Sequence, residues 1–193
     1  MLKKTLLIAF VCFLSAQGLF AQEAFTWSLA VVKNNEGVPF DEAVAMNNGE
    51  AFSIQVHADK DCYAYIVLEE ANGNMEFYDK SLPYKVKAGV TEIVFGGKFS
   101  TSGTSHGQDK LYVVVSAVEQ KRLKDAIDAY KKDKTDVNTR RLRDRLFSIK
   151  DPKESLEVQV DSFTGSIRSG DKAIAGTKYS GAAVYTKTIV FEH

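Results

Sequence analysis

Phe52, Ile54 and Val56 alternate with Ser53, Gln55 and His57, the two-residue period of a strand with one buried face. Cys62 to Leu68 is apolar or aromatic at every position, which predicts a central strand covered on both sides. Leu111 to Val118 carries nearly the same continuous pattern. Shorter strands are expected at Phe25 to Val32, around Met75 and Phe77, and at Thr91 to Phe95. Asn34, Asn35 and Gly37 supply turn chemistry after the first of these, and Asn72-Gly73 supplies a tight hairpin after Glu69 and Glu70.

After Val118 the period changes. Leu123, Ile127 and Tyr130 recur at helical spacing, as do Leu142, Leu146 and Ile149, predicting two amphipathic helices joined near Lys134. Asp136 has the chemistry of an N-cap for the second, and Pro152 stops it. Strand alternation returns at Leu156 to Val160. Gly165, Gly170 and Gly176 then punctuate a polar stretch, and Ala182 to Phe191 closes as a long strand. Strands joined by turns rather than helices favour a mainly β fold, an antiparallel immunoglobulin-like β-sandwich with an α-helical hairpin inserted near the C-terminal third. The expected divisions are a leader at 1–21, a sandwich core at 22–118, a helical hairpin appended at 119–150, and closing strands at 151–193.

The leader is read from Lys3 and Lys4, the apolar run Leu6 to Leu14, and small or polar residues ending at Ala21. That is the layout of a secretory signal peptide, so the mature chain is expected outside the cytoplasm, in a bacterial periplasm or at the cell surface. A retained membrane anchor would need about 20 apolar residues. Cys12 lies inside the apolar run behind Val11, which is not the setting of a lipid-modified cysteine. Cleavage after Gly18 or after Ala21 fits, and neither leaves an integral membrane span in the mature chain.

Composition narrows the partners. The whole chain carries 25 basic and 25 acidic residues, and loss of Lys3 and Lys4 leaves the mature protein slightly acidic. Nothing in that balance draws the chain as a whole to nucleic acid or to an anionic membrane. Cys62 is the one cysteine beyond the leader, and its apolar surroundings predict a buried, inert thiol.

Several segments fall in a familiar order: Asn48-Gly49-Glu50 before Phe52, Ile54 and Val56; Asp61 with Tyr63, Tyr65 and Val67; Asn72-Gly73; Tyr78 to Pro83; Ala88-Gly89; and Gly107 with Leu111 to Ser116. Over about residues 48–118 this order resembles exported bacterial proteins containing domain of unknown function 4384. The resemblance implies an exported, sandwich-like accessory module and carries no catalytic residue onto this chain.

Candidate chemistry is sparse. Gly97-Lys98 lacks the phosphate-loop spacing, because Glu92 stands where the first glycine belongs and Phe99 where Ser or Thr would hold the metal. His57, Asp59 and Asp61 are the candidate metal ligands, since positions two apart share a strand face, although Asp59-Lys60-Asp61 also has turn composition. The stretch Gly96 to Asp109 holds four glycines and is long for a connection in a compact domain. With the Asn72-Gly73 turn it nominates Asn72, Gly73, Lys98, Ser105 and His106 as binding residues. Tyr63, Tyr65, Phe77, Tyr78 and Tyr84 could offer rings to a sugar or peptide, or pack in the core. Lys131, Lys132, Lys134, Arg140, Arg141, Arg143 and Arg145 make the hairpin locally basic, with Asp133, Asp136 and Asp144 interleaved.

The expected function is a non-catalytic interaction or ligand-recognition module of the cell envelope, requiring no cofactor and binding an envelope protein, peptide or glycan. Edge strands at Phe25 to Val32 or Ala182 to Phe191 could pair with a partner strand. The alternative is a polymer-processing enzyme or metal-binding protein using surface carboxylates such as Glu69 and Glu70. A small outer-membrane barrel fits poorly, because its strands should alternate strictly.

Overall fold

A computed structural model describes residues 25–77, 82–99, 107–149, 167–169, 172–174, 176–181 and 184–193. The leader, Leu156 to Val160, Tyr78, Ser105 and His106 lie outside the described residues. Among the described residues the chain is mainly β, with two large sheets, a two-stranded ribbon and two helices in its C-terminal half.

In the first sheet, β1 (Phe25–Lys33) lies between β12 (Thr177–Gly181) and β4 (Ala51–Ala58), and β4 pairs onward with β8 (Thr91–Lys98). The short β2 (Glu36–Val38) folds back on β1 through Asn34 and Asn35, both at positive φ, as a tight hairpin demands. In the second sheet, β5 (Cys62–Glu69) and β9 (Gln108–Ser116) are adjacent, and β13 (Val184–Glu192) runs antiparallel to β9 along its whole length. Three short strands, β3 (Val44–Ala45), β6 (Met75–Glu76) and β7 (Tyr84–Val86), complete that sheet. The ribbon is β10 (Ile167–Ser169) with β11 (Lys172–Ile174).

Side-chain alternation explains how the layers meet. Ala64 and Ile66 of β5 and Leu111, Val113 and Val115 of β9 join Trp27, Leu29, Val31, Ile54 and Val56 of the other sheet in one buried cluster. Tyr65, Val67, Tyr112 and Val114 point the opposite way and are buried under the helices. The continuous apolar runs in β5 and β9 therefore have the two covered faces their sequence predicts. The helices, α1 (Lys121–Lys132) and α2 (Asp136–Ser148), supply Leu123, Ala126, Ile127, Tyr130, Leu142 and Leu146 to that second cluster. The hairpin is thus a layer of the fold rather than an appendage. Thr135, not Asp136, caps α2, its side chain accepting from the Asn138 backbone N–H at 3.4 Å, while Asp136 occupies the first turn, where a carboxylate complements the helix dipole.

The strand edges differ from expectation. Phe25 to Val32 is internal, because β1 is bonded on both sides. β13 meets β3 only at Phe191 and Glu192, so its edge is covered there and by no other described strand. At the edge strand β8, the pairing with β4 skips Val94, a bulge of the kind that discourages edge-to-edge association. Among the described residues neither sheet closes on itself.

Lys33 at the end of β1 pairs with Glu50 before β4 at 2.8 Å, and the Asn47 backbone N–H donates to the same carboxylate at 2.8 Å. The hydrogen bond from Lys33, then that from Asn47, lowers the Glu50 pKa from 4.5 to about 2. Because the folded value is depressed, this contact contributes stability above pH 4.5 and loses it as pH falls through about 2. The Glu50 side-chain carbon resonance should accordingly titrate with a midpoint near 2, and a midpoint near 4.5 would show that the contact does not persist in solution.

Candidate functional site

One end of the two sheets gathers the segments that the sequence nominates for binding. Glu69 of β5 lies opposite Lys110 of β9, Glu192 of β13 opposite Gln108, and Lys98 of β8 opposite Ala51. All these strand ends therefore emerge together. The turn after β5 is closed by Gly73 N–H donating to the Glu70 carbonyl at 2.8 Å, with Gly73 at φ 86°, a conformation that favours glycine. The side chain of Asn72 is spent inside the turn, its Oδ1 accepting from Asn74 N–H at 2.8 Å and its Nδ2 donating to Glu70 at 3.1 Å.

Asp109 bridges that turn to β9. Its Oδ1 accepts from the Ala71 backbone N–H at 2.9 Å and lies 3.4 Å from Nε2 of His193. The His193 ring is largely covered, and neither ring nitrogen has a hydrogen-bond partner among the described residues. Gly107 exchanges backbone hydrogen bonds with His193, and no side chain fits at Gly107, because a Cβ would stand 2.6 Å from that of Ala71. Phe99 contacts the same imidazole at 5.4 Å between ring centres and exchanges backbone bonds with the 49–50 segment. Gly96, Gly97 and Lys98 belong to β8, and Gln108 and Asp109 to β9, so the expected glycine-rich loop is shorter than its composition suggested. The C-terminal end of that stretch meets the 70–74 turn, its N-terminal end reaches the same region through Phe99 against His193, and Lys98 is exposed.

The candidate metal ligands are not brought together. His57 of β4 places Nδ1 3.2 Å from Thr91 Oγ1, Asp59 Oδ1 accepts from Thr26 N–H at 3.1 Å, and Asp61 Oδ1 accepts from Ala88 N–H at 2.8 Å. The turn between β4 and β5 breaks the shared strand face, and each aspartate fastens a different backbone segment. Among the described residues no three His, Cys, Asp or Glu side chains form a group suited to a metal.

Glu69 and Glu70 do not act as a pair. Glu69 points to the helices, where Oε1 accepts from Arg143 Nε at 3.1 Å and Nη2 at 2.6 Å, and Oε2 accepts from the Tyr112 hydroxyl at 2.6 Å. Burial first, then this bond to Glu69, pushes the Tyr112 pKa up. The carboxylate thus joins β5, β9 and α2. A charged residue continuing the helix-facing positions 63, 65 and 67 was the available signal for this network. Cys62 is buried and free, and burial, followed by the charges of Asp61 and Asp59, pushes its thiol up to about 12. It remains a neutral thiol at physiological pH.

The aromatic candidates divide. Tyr65 is fully buried, and its hydroxyl accepts the Gln120 backbone N–H at 2.7 Å at the start of α1. Tyr63 and Phe77 pack against the helical cluster and Tyr84 against the main core. Among the described helices none is long and apolar enough to cross a membrane. Compared with known proteins, the chain matches no family model, no curated protein and no solved structure.

Proposed function

We propose that this chain is an exported, non-catalytic recognition module of the bacterial cell envelope, an immunoglobulin-like β-sandwich that binds an envelope protein, peptide or glycan at its loop end. The observation that carries this reading is the convergence of the turn 70–74 with the C-terminal end of the glycine-rich stretch, fastened through Ala71, Asp109, Gly107 and His193, on which Phe99 from the other end packs. A rigid scaffold presenting adjacent loops is a common arrangement for binding. The leader and the resemblance over residues 48–118 support the same reading.

Joint replacement of Lys98, Ser105 and His106 by alanine tests this reading, with the variant's melting temperature measured alongside to show that it is folded; Lys98 is exposed, so its loss removes no core packing. Affinity capture from an envelope extract of the source organism should recover a defined partner with the wild-type chain and lose it with the variant. Identical recovery by both proteins would move the binding surface away from this end.

A further inference from the structure

The outward face of α2 has chemistry that neither the fold nor the loop end uses. Leu142 and Leu146 bury the opposite face against the sheet, and Arg143 is committed to Glu69. Arg140, Arg141 and Arg145 remain along a shallow groove with Val137, Asp144 and Ser148. None of these three arginines makes an ion pair among the described residues. Asp144 lies among them and Asp136 one turn before Arg140, so these three arginines exceed the acids of their face by one charge. Val137 in the same groove is 74% exposed, whereas Phe147 turns aside and sets its ring edge-on to Tyr112 at 6.0 Å.

We propose that this face docks on an anionic phospholipid bilayer. Guanidinium groups are drawn to a negatively charged surface, each strengthening binding by about fivefold near it. The exposed Val137 among them favours a bilayer over a soluble polyanion, because only the bilayer offers hydrocarbon for it to enter. The surface is distinct from the loop end, so its failure leaves the recognition reading standing.

The test is sedimentation of the full chain with phosphatidylcholine vesicles, with and without phosphatidylglycerol. The residue 1–21 segment is common to every variant, so the ratios between proteins and between vesicles are what is read. The wild type should bind the anionic vesicles preferentially and weaken as salt rises. The triple variant Arg140→Gln, Arg141→Gln, Arg145→Gln should lose at least about tenfold of that binding. Val137→Ser, which removes an exposed methyl pair without touching the core, should lose severalfold. Equal binding to neutral vesicles, or an unchanged triple variant, would overturn the proposal. So would an unaffected Val137→Ser protein that dextran sulfate displaces completely, an outcome that assigns the face to a soluble polyanion.

Discussion

Leu142→Ala is expected to lower the unfolding free energy by about 3 kcal/mol, the size typical of deleting a fully buried leucine side chain. Leu142 is fully buried in the cluster that α1 and α2 form with Tyr65, Val67, Tyr112 and Val114. The loss combines transfer of the removed carbons with the cavity left behind, and the β-sheet floor gives little room to collapse. If the helices are a layer of the fold, chemical denaturation should remain one cooperative transition and shift as a whole. Val137→Ala on the exposed face should change stability by under about 0.5 kcal/mol. A loss below about 1 kcal/mol at Leu142, with the β signal unfolding independently of the helical signal, would mean that the hairpin is only loosely attached.

Glu69→Ala should cost about 2 kcal/mol, because it strands two partners at once. Arg143 loses a two-bond carboxylate contact, and the Tyr112 hydroxyl loses its acceptor. The Arg143 side chain is 36% exposed, so water partly rehydrates it, and the penalty falls below that of a fully enclosed pair. Arg143→Ala should be milder than Glu69→Ala, since the carboxylate would retain the tyrosine. The double variant should be less destabilised than the two single losses added together, and strict additivity would show that the contact contributes nothing. Spectrophotometric titration gives an independent reading. The Tyr112 phenol should titrate at lower pH in Glu69→Ala, while burial, its largest cause of elevation, keeps it above the ordinary tyrosine value.

Much of this architecture was legible from local pattern. Alternation at 52–57 and continuous apolar runs at 62–68 and 111–115 mark the strands, because successive strand residues face opposite layers, but Gln55 on the polar side of the first is buried too, so its second face is less open than its sequence implies. Helical spacing at Leu123, Ile127 and Tyr130 and at Leu142 and Leu146 identifies the residues now buried in the second cluster. The candidate site was legible only in part. Composition located the turn at Asn72-Gly73 and the glycine-rich stretch, but Asn72 proves to serve the turn itself, and Lys98 stands in a strand. At His57, Asp59 and Asp61 the turn composition of Asp59-Lys60-Asp61 outweighs the two-residue spacing, because period-two reasoning holds only while the chain stays extended.

The amino-acid sequence by itself determined which residues turn inward, where turns interrupt the strands, and which two segments coil into helices. Each follows from side-chain periodicity or local backbone preference, which neighbouring residues settle among themselves. Tertiary structure alone decided that β1 is internal, that the hairpin covers β5 and β9, and that Glu69 meets Arg143 across 74 positions of chain. It also brought Ala71, Gly107, Asp109 and His193 to one end. Those outcomes depend on strand order and register, which are set when distant segments bury their apolar faces together, and no local period encodes which partner a face will meet.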